Sequence, residues 1–155
     1  ATGAAFMSST VAGNAIGRAA AHATLEGCAN TSALADLRRH GQALGDGLAA
    51  LLQTYQLPGV LWGNFARMAV AWQDVPGIAT AAQLKTLWMQ EMIQHGVLWG
   101  PGVCFPMACW TEATVKEILD VAGDACAIVQ DALRPGRLSV RLQRAQEQDV
   151  FQVRA

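Results

Sequence analysis

Leucines at helical spacing dominate one stretch of this sequence, between positions 34 and 52. Their separations of three, four and seven residues predict a long amphipathic helix, because residues at this spacing share one face. They are Leu34, Leu37, Leu44, Leu48, Leu51 and Leu52. Gly41, Gly45 and Gly47 lie within the same helix, and each costs about 1 kcal/mol of helix stability relative to Ala. Their presence predicts that other elements pack closely against this helix.

Two runs rich in β-branched and aromatic residues follow, at residues 60–62 and 65–72. Gly63-Asn64 lies between them and is typical of a tight turn, so the runs predict two short antiparallel strands. Side chains alternate across a strand, which gives the second strand one apolar face. That face is formed by Met68, Val70 and Trp72.

Two more helices are predicted in the second half of the chain. The first spans residues 79–94. The second begins after Thr111, whose hydroxyl can cap a helix, and ends at Arg134-Pro135. The face of this last helix that we expect to be buried comprises Val115, Ile118, Leu119, Ala122, Cys126, Val129 and Leu133.

The segment between these two helices is expected to be extended. Residues 97–99 predict a short strand, and residues 103–110 predict an edge strand or a loop, because Pro106 cannot donate a hydrogen bond. Helices combined with a small sheet in this order predict an α+β sandwich over residues 30–134. We expect most of the five tryptophans in its core: Trp62, Trp72, Trp88, Trp99 and Trp110.

A cluster of hydroxyl residues precedes an alanine-rich helix near the start of the sequence. Ser8, Ser9 and Thr10 are followed by Gly13 and Asn14, and then by a helix predicted over residues 14–27. Hydroxyl groups, backbone N–H groups and the positive end of a helix dipole together bind anions, most often phosphate. An ordinary loop with an N-cap explains the same residues, so both interpretations stay open on local chemistry.

Composition excludes several classes of protein. The chain has 155 residues, which fits one domain, with 52% apolar and 15% charged residues. Its net charge of −1 gives no general attraction to nucleic acid or to an anionic membrane. No apolar run reaches the ~18 residues of a membrane span, and no signal-peptide pattern is present. Because the sequence also lacks an initiator Met, we expect it to be one piece of a longer protein.

The cysteines predict neither a metal site nor a disulfide framework. They form no CxxC pair, and the three histidines show no ligand spacing with them. His22, on the first helix, is expected to be structural rather than catalytic. We therefore expect no bound metal and a reducing, cytoplasmic location. The four cysteines are Cys28, Cys104, Cys109 and Cys126.

The last residues of the chain, 135–155, form a tail with four arginines and two acidic residues. A basic tail could contact nucleic acid, but the acidic residues favour a solvated extension that could add one short helix. The charged residues are Arg137, Arg141, Arg144, Arg154, Glu147 and Asp149.

Three segments carry a family resemblance. Residues 8–26 are similar to an S/T-T-x-x-G-N-P motif followed by an Ala-rich helix that ends in T-L-E. Residues 82–101 look like a helix that leads into a G-V-x-x-x-P strand, and residues 109–119 look like a late A-H-T-E-E-D-I helix start. In this order they resemble the C-terminal third of class-III aminotransferases that depend on pyridoxal 5'-phosphate (PLP), especially the glutamate-1-semialdehyde aminomutase branch.

The resemblance implies a fold-type-I transferase that works as a homodimer with active sites at the subunit interface. Residues 1–29 would end the large cofactor-binding domain, residues 30–134 would form the small domain that frames the substrate entrance, and residues 135–155 would be the tail. The Thr that matches Thr10 reaches the cofactor phosphate of the neighbouring subunit, and Ser9 is a weaker candidate for this contact. The resemblance therefore implies PLP as the cofactor.

The sequence departs from the family at several positions. Ala15 stands where the family has Pro, which costs some preorganisation of the first helical turn. The family's Arg for a substrate carboxylate, in an R-F-x-P context, has no counterpart in residues 103–107. The family's catalytic Lys and its Asp for the pyridine nitrogen both lie upstream of the matching motif. Only Lys85 and Lys116 are present, both on predicted amphipathic helices, so no catalytic residue is nominated.

The sequence therefore predicts the C-terminal portion of a PLP-dependent transaminase or aminomutase, with the remainder supplied by another chain or an upstream segment. Two alternatives stay open. One is a non-catalytic binding or regulatory domain derived from this fold. The other is an interaction module, for which low charge and many tryptophans would be interface features.

Overall fold

The computed structural model describes residues 14–100 and 102–143. Long helices and one hairpin account for most of them, and a single hydrophobic core joins the helices to the hairpin. The elements in chain order are α1 (Ala15–Asn30), α2 (Ala33–Thr54), β1 (Gly59–Asn64), β2 (Arg67–Trp72), α3 (Ala81–Gln94), α4 (Glu112–Ala132) and α5 (Leu138–Arg141).

The first helix, α1, begins where the sequence predicts and continues to Asn30. The Asn14 side chain caps it by accepting hydrogen bonds from the N–H groups of Ile16 and Gly17, at 2.9 and 3.2 Å. No residue of α1 is buried among the described residues. This helix therefore lies outside the core that the other elements form.

The long helix α2 lies at the centre of the core, as its leucine spacing predicts. Its buried face consists of His40, Gly41, Leu44, Gly45, Leu48 and Leu52, whereas Leu34 is exposed. A Cβ at Gly41 would stand 1.9 Å from the carbonyl oxygen of Phe65, and one at Gly47 would stand 2.5 Å from Leu119 Cδ1. The predicted close packing against this helix is thus present at both glycines.

The strands β1 and β2 form an antiparallel hairpin, but its turn lies two residues later than predicted. The register pairs Gly59 with Trp72 and Asn64 with Arg67, which leaves Phe65 and Ala66 as the turn. The Asn64 side chain accepts hydrogen bonds from the N–H groups of Ala66 and Arg67, at 2.9 and 3.2 Å. These side-chain bonds stabilise a turn that follows Asn64 rather than one that contains it.

Helix α3 follows a capping box between Thr80 and Gln83 and buries the predicted apolar face. Leu84, Leu87, Trp88 and Met92 are each at most 1% exposed. Gly96 follows with a φ of +89°, a conformation that favours glycine.

The predicted strand at residues 97–99 is absent, and this part of the sequence interpretation is wrong. The Val97 N–H donates to Met92 C=O and the Trp99 N–H donates to Val97 C=O, both at 2.9 Å. Because these donors are used locally, they are not available to a strand partner. Extended pairing occurs later, where Cys104 forms a single bridge with Met68.

Helix α4 is capped by Thr111 and packs against both α2 and α3. Its fully buried positions include Ala122, Cys126 and Val129, as the sequence predicts. In the same core, Trp88 contacts Trp72 and Trp99, with ring centroids 5.7 and 6.3 Å apart. Trp62 is an exception to the predicted burial of the tryptophans, since it is 58% exposed.

The short helix α5 places part of the predicted tail against the core. Leu138 is buried, and the guanidinium groups of Arg137 and Arg141 donate hydrogen bonds to the carboxylate of Asp131 in α4. The first residues after Pro135 thus pack on the domain rather than extending into solvent. Across the described ranges, none of the helices has the length and apolar character that crossing a membrane requires.

Candidate functional site

The start of α1 is the place where the sequence suggests an anion site. Asn14 Oδ1 already occupies the N–H groups of Ile16 and Gly17, which are donors that an anion at this helix start would use. An ordinary N-cap is therefore what the described residues contain here. Ser9 and Thr10, the two cofactor-binding candidates, lie outside the described residues, so the phosphate contact stays a prediction.

The two lysines of the chain lack the setting that imine chemistry with a cofactor requires. The Lys116 side chain is 75% exposed and forms an ion pair with Asp120 one helical turn away. Lys85 is partly buried and borders a cavity of only about 10 Å³, which has room for a single water-sized molecule. A nucleophilic lysine must be desolvated beside its carbonyl partner. Among the described residues, the surroundings of Lys85 and Lys116 differ from such a setting.

Two of the four thiols, those of Cys104 and Cys126, are unsuited to nucleophilic chemistry. Burial raises the pKa of Cys104 to about 11 and that of Cys126 to about 12, so both thiols stay protonated at neutral pH. In the ranges 14–100 and 102–143, no group of three His, Cys, Asp or Glu residues is arranged to hold a metal ion. His22 is exposed on α1 and lies 3.3 Å from Glu26.

The polar groups near α5 have a structural role. The Gln90 amide donates to Glu91 Oε1 and to the Arg141 carbonyl, at 2.9 and 3.0 Å. Its Oε1 accepts the N–H of Gln143 at 2.9 Å. These bonds fix the chain after α5 against α3, so Gln90 and Glu91 are buried with partners and are not free for catalysis.

Two open grooves run between α2 and β1, and sequence reasoning did not identify them. One, of about 310 Å³, is bordered by Gly41, Gly45 and the residues around Gly63. The other, of about 610 Å³, continues along β1 towards Gln56. Ala49 and Leu61 border both grooves, so together they form one channel beside β1, here called the β1 groove. Gly41 and Gly45 were the sequence signal for it, because they place no side chain on this side of α2.

The comparison with solved structures shows what this chain resembles. No protein-family model matches the sequence, and no curated protein is detectably similar to it. The structure is similar to that of the FumI protein from Sphingopyxis sp. MTA144, which was solved as the PLP internal aldimine form. The two share 24% sequence identity with a TM-score of 0.67, over 88% of this chain and 33% of the FumI chain.

The chain therefore spans about a third of the length of that protein. At this level of identity the likeness establishes the fold and no more. Helices packed around a small antiparallel sheet, in this order, have the fold of part of a PLP-containing protein.

Proposed function

We propose that this chain is the C-terminal portion of a fold-type-I, PLP-dependent transaminase or aminomutase of class III. The observation that carries the proposal is the fold shared with a protein solved with PLP, over 88% of this chain. The family resemblance of residues 8–26, 82–101 and 109–119 points to the same class of enzyme. In such an enzyme PLP supplies the carbanion chemistry, while protein groups bind and orient it.

In this proposal the chain supplies one side of a composite active site. Thr10, with Ser9 as a weaker candidate, would contact the cofactor phosphate of the neighbouring subunit in a homodimer. Residues 30–134 would form the small domain beside the substrate entrance. The lysine that holds PLP would come from an upstream part of the enzyme, because neither Lys85 nor Lys116 has a suitable setting.

The surface of α1 supports an assignment to the end of a larger domain. Its three basic or acidic side chains, Arg18, His22 and Glu26, follow each other at intervals of four and form one narrow stripe. The rest of the helix is small or apolar, yet Ile16 and Leu25 are 81% and 69% exposed. Helices that are apolar on most sides are normally covered, because packing provides most of their stability.

A non-catalytic binding or interaction domain derived from this fold is the second candidate. The observation that favours it is again the setting of the two lysines, which leaves this chain without a residue for imine formation.

Co-expression separates the two proposals. We would produce the chain alone and together with the polypeptide encoded immediately upstream of Ala1, and measure PLP absorbance after dialysis. The enzyme proposal predicts bound PLP only when both parts are present. A folded chain that neither forms a complex nor retains PLP in either sample would contradict it and support the non-catalytic domain.

A further inference from the structure

Two buried side-chain polar atoms have no hydrogen-bond partner within residues 14–100 and 102–143, namely Nδ1 of His40 and Nε1 of Trp88. Trp88 is 1% exposed, so its indole N–H does not reach bulk water. A buried donor without a partner is unfavourable, because it loses its hydration and gains nothing in return. Buried polar groups that lack a protein partner are usually satisfied by an ordered water molecule. The Trp88 N–H therefore requires an acceptor.

A small cavity beside Trp88 has room for such an acceptor. It lies between β2, α3 and the segment that carries Trp99 and Gly100, and its volume is about 10 Å³. A water molecule needs about 10–15 Å³ of such space, so the cavity matches the size of one water molecule. The other unpartnered atom, Nδ1 of His40, differs in this respect, because His40 borders neither this cavity nor the β1 groove.

The lining of this cavity, here called the Trp88 cavity, includes polar groups besides the indole N–H. Gly100 and Gly102 border it, and they do so with main-chain atoms because glycine has no side chain. Lys85 borders it from α3. A buried water molecule typically forms about three hydrogen bonds, so it needs polar groups on more than one wall. The Trp88 cavity has such groups on α3 and on the segment that carries Gly100.

The ring of Trp99 provides the competing explanation for the Trp88 N–H. The rings of Trp88 and Trp99 stand edge to face, with centroids 6.3 Å apart and an interplanar angle of 89°. An indole N–H can donate weakly to the face of an aromatic ring. A conventional hydrogen bond to water replaces more of the lost hydration than this weak contact does. The size and the lining of the cavity favour the water molecule for the same donor.

We infer that the Trp88 cavity binds one ordered water molecule, which accepts a hydrogen bond from Trp88 Nε1 and bridges α3 to the main chain of the segment that carries Gly100. Gly100 and Gly102 are exposed, so water enters from that side without opening the core. The bridge joins a buried position of α3 to an exposed loop. This site does not depend on the proposed function.

Proton NMR of the whole chain tests the inference through contacts between the Trp88 indole proton and water. A water molecule held in the cavity gives cross-peaks of opposite sign in nuclear Overhauser and rotating-frame experiments, whereas exchange of the indole proton with bulk water gives the same sign in both. We expect opposite signs for Trp88. Trp62, which is 58% exposed, is the internal control and should show no cross-peak pair of opposite sign.

The other results of this experiment overturn the inference. An upfield-shifted Trp88 indole proton without a water cross-peak would assign the donor to the Trp99 ring. Cross-peaks of the same sign in both experiments would show exchange with bulk water rather than a bound molecule.

A pair of substitutions tests the location of the water molecule. Val70 borders the Trp88 cavity from β2, and Val70→Ile adds a methyl group to that wall. We expect this variant to lose the cross-peaks of Trp88, because the methyl group takes the space of the water molecule. Val60→Ile is the matched control, since Val60 is exposed on β1 and does not border the cavity. Cross-peaks that persist in Val70→Ile, or that disappear in both variants, would contradict the assigned site.

Discussion

Gly41 of α2 lies directly against the carbonyl oxygen of Phe65 in the hairpin turn. A Cβ at Gly41 would stand 1.9 Å from that oxygen and 2.7 Å from the carbonyl carbon, so the backbones of the helix and the turn are in contact. Three residues before Gly41 in the same helix, the Arg38 guanidinium lies 4.4 Å from the centre of the Phe65 ring. This contact fixes the position of the hairpin, and with it the β1 groove.

Gly41→Ala is expected to destabilise the fold by about 2 kcal/mol, because backbone atoms must move to admit the methyl group. Urea unfolding followed by tryptophan fluorescence measures the change. Gly123→Ala in α4 is the matched control, since its Cβ would meet only Leu51 Cδ2 at 3.6 Å. At this position the substitution stabilises the helix by up to about 1 kcal/mol, because alanine favours the helical conformation more than glycine does. Similar effects at both glycines would contradict the close contact.

Asp131 links α4 to the segment around α5, and this link should depend on pH. Hydrogen bonds from Arg141 and Arg137 hold the pKa of Asp131 below its ordinary value of 3.8. A carboxylate with a lowered pKa stabilises the fold above its ordinary pKa, and this stabilisation disappears as the pH falls through the lowered value. Wild type should therefore be more stable than Asp131→Asn at pH 7, and the difference should vanish in strong acid. A difference in unfolding midpoint that stays constant across this range would argue against the link.

Asn14→Ala should loosen α1 without affecting the core. The side chain satisfies the N–H groups of Ile16 and Gly17, and losing an N-cap costs about 1 kcal/mol. Because α1 buries no residue, this loss is local: amide exchange at Ile16 and Gly17 rises about fivefold, while the unfolding midpoint of the core is unchanged. Asn30→Ala, at the other end of α1, is the control. A lower core midpoint in Asn14→Ala would show that α1 is coupled to the core.

Thr10→Val tests the assigned phosphate contact. Loss of a hydrogen bond to a charged group should weaken PLP retention in the assembled enzyme by about tenfold or more, with little effect on folding. Ser8→Ala is the control, because no phosphate contact is assigned to Ser8. PLP release during dialysis, followed by absorbance, gives the comparison. Unchanged retention in Thr10→Val would remove the site assignment.

Patterns local in sequence predicted the helices well, because they depend on spacing and capping. The leucines of α2 and the Thr111 cap of α4 are examples. The errors arose where tertiary or side-chain bonds decide the outcome. Asn64 accepts two main-chain bonds and moves the turn, and Val97 uses its N–H locally after Gly96. The bridge between Met68 and Cys104 joins residues far apart in sequence, which no local pattern reveals.

The candidate site was less accessible to sequence reasoning than the fold. The anion interpretation depends on Ser9 and Thr10, which the structure does not describe, and the described cap at Asn14 is an ordinary one. The β1 groove was not anticipated, because it depends on how α2 and the hairpin pack. The sequence also predicts that neither Lys85 nor Lys116 holds a cofactor, and this stays a prediction.

The central claim is that this chain forms one side of a PLP site whose lysine lies elsewhere. Borohydride reduction of the co-expressed complex, followed by peptide mass spectrometry, tests it most directly, because reduction fixes PLP to the lysine that holds it. The account predicts the label on a lysine of the upstream polypeptide and none on this chain. A label on Lys85 or Lys116 would contradict it.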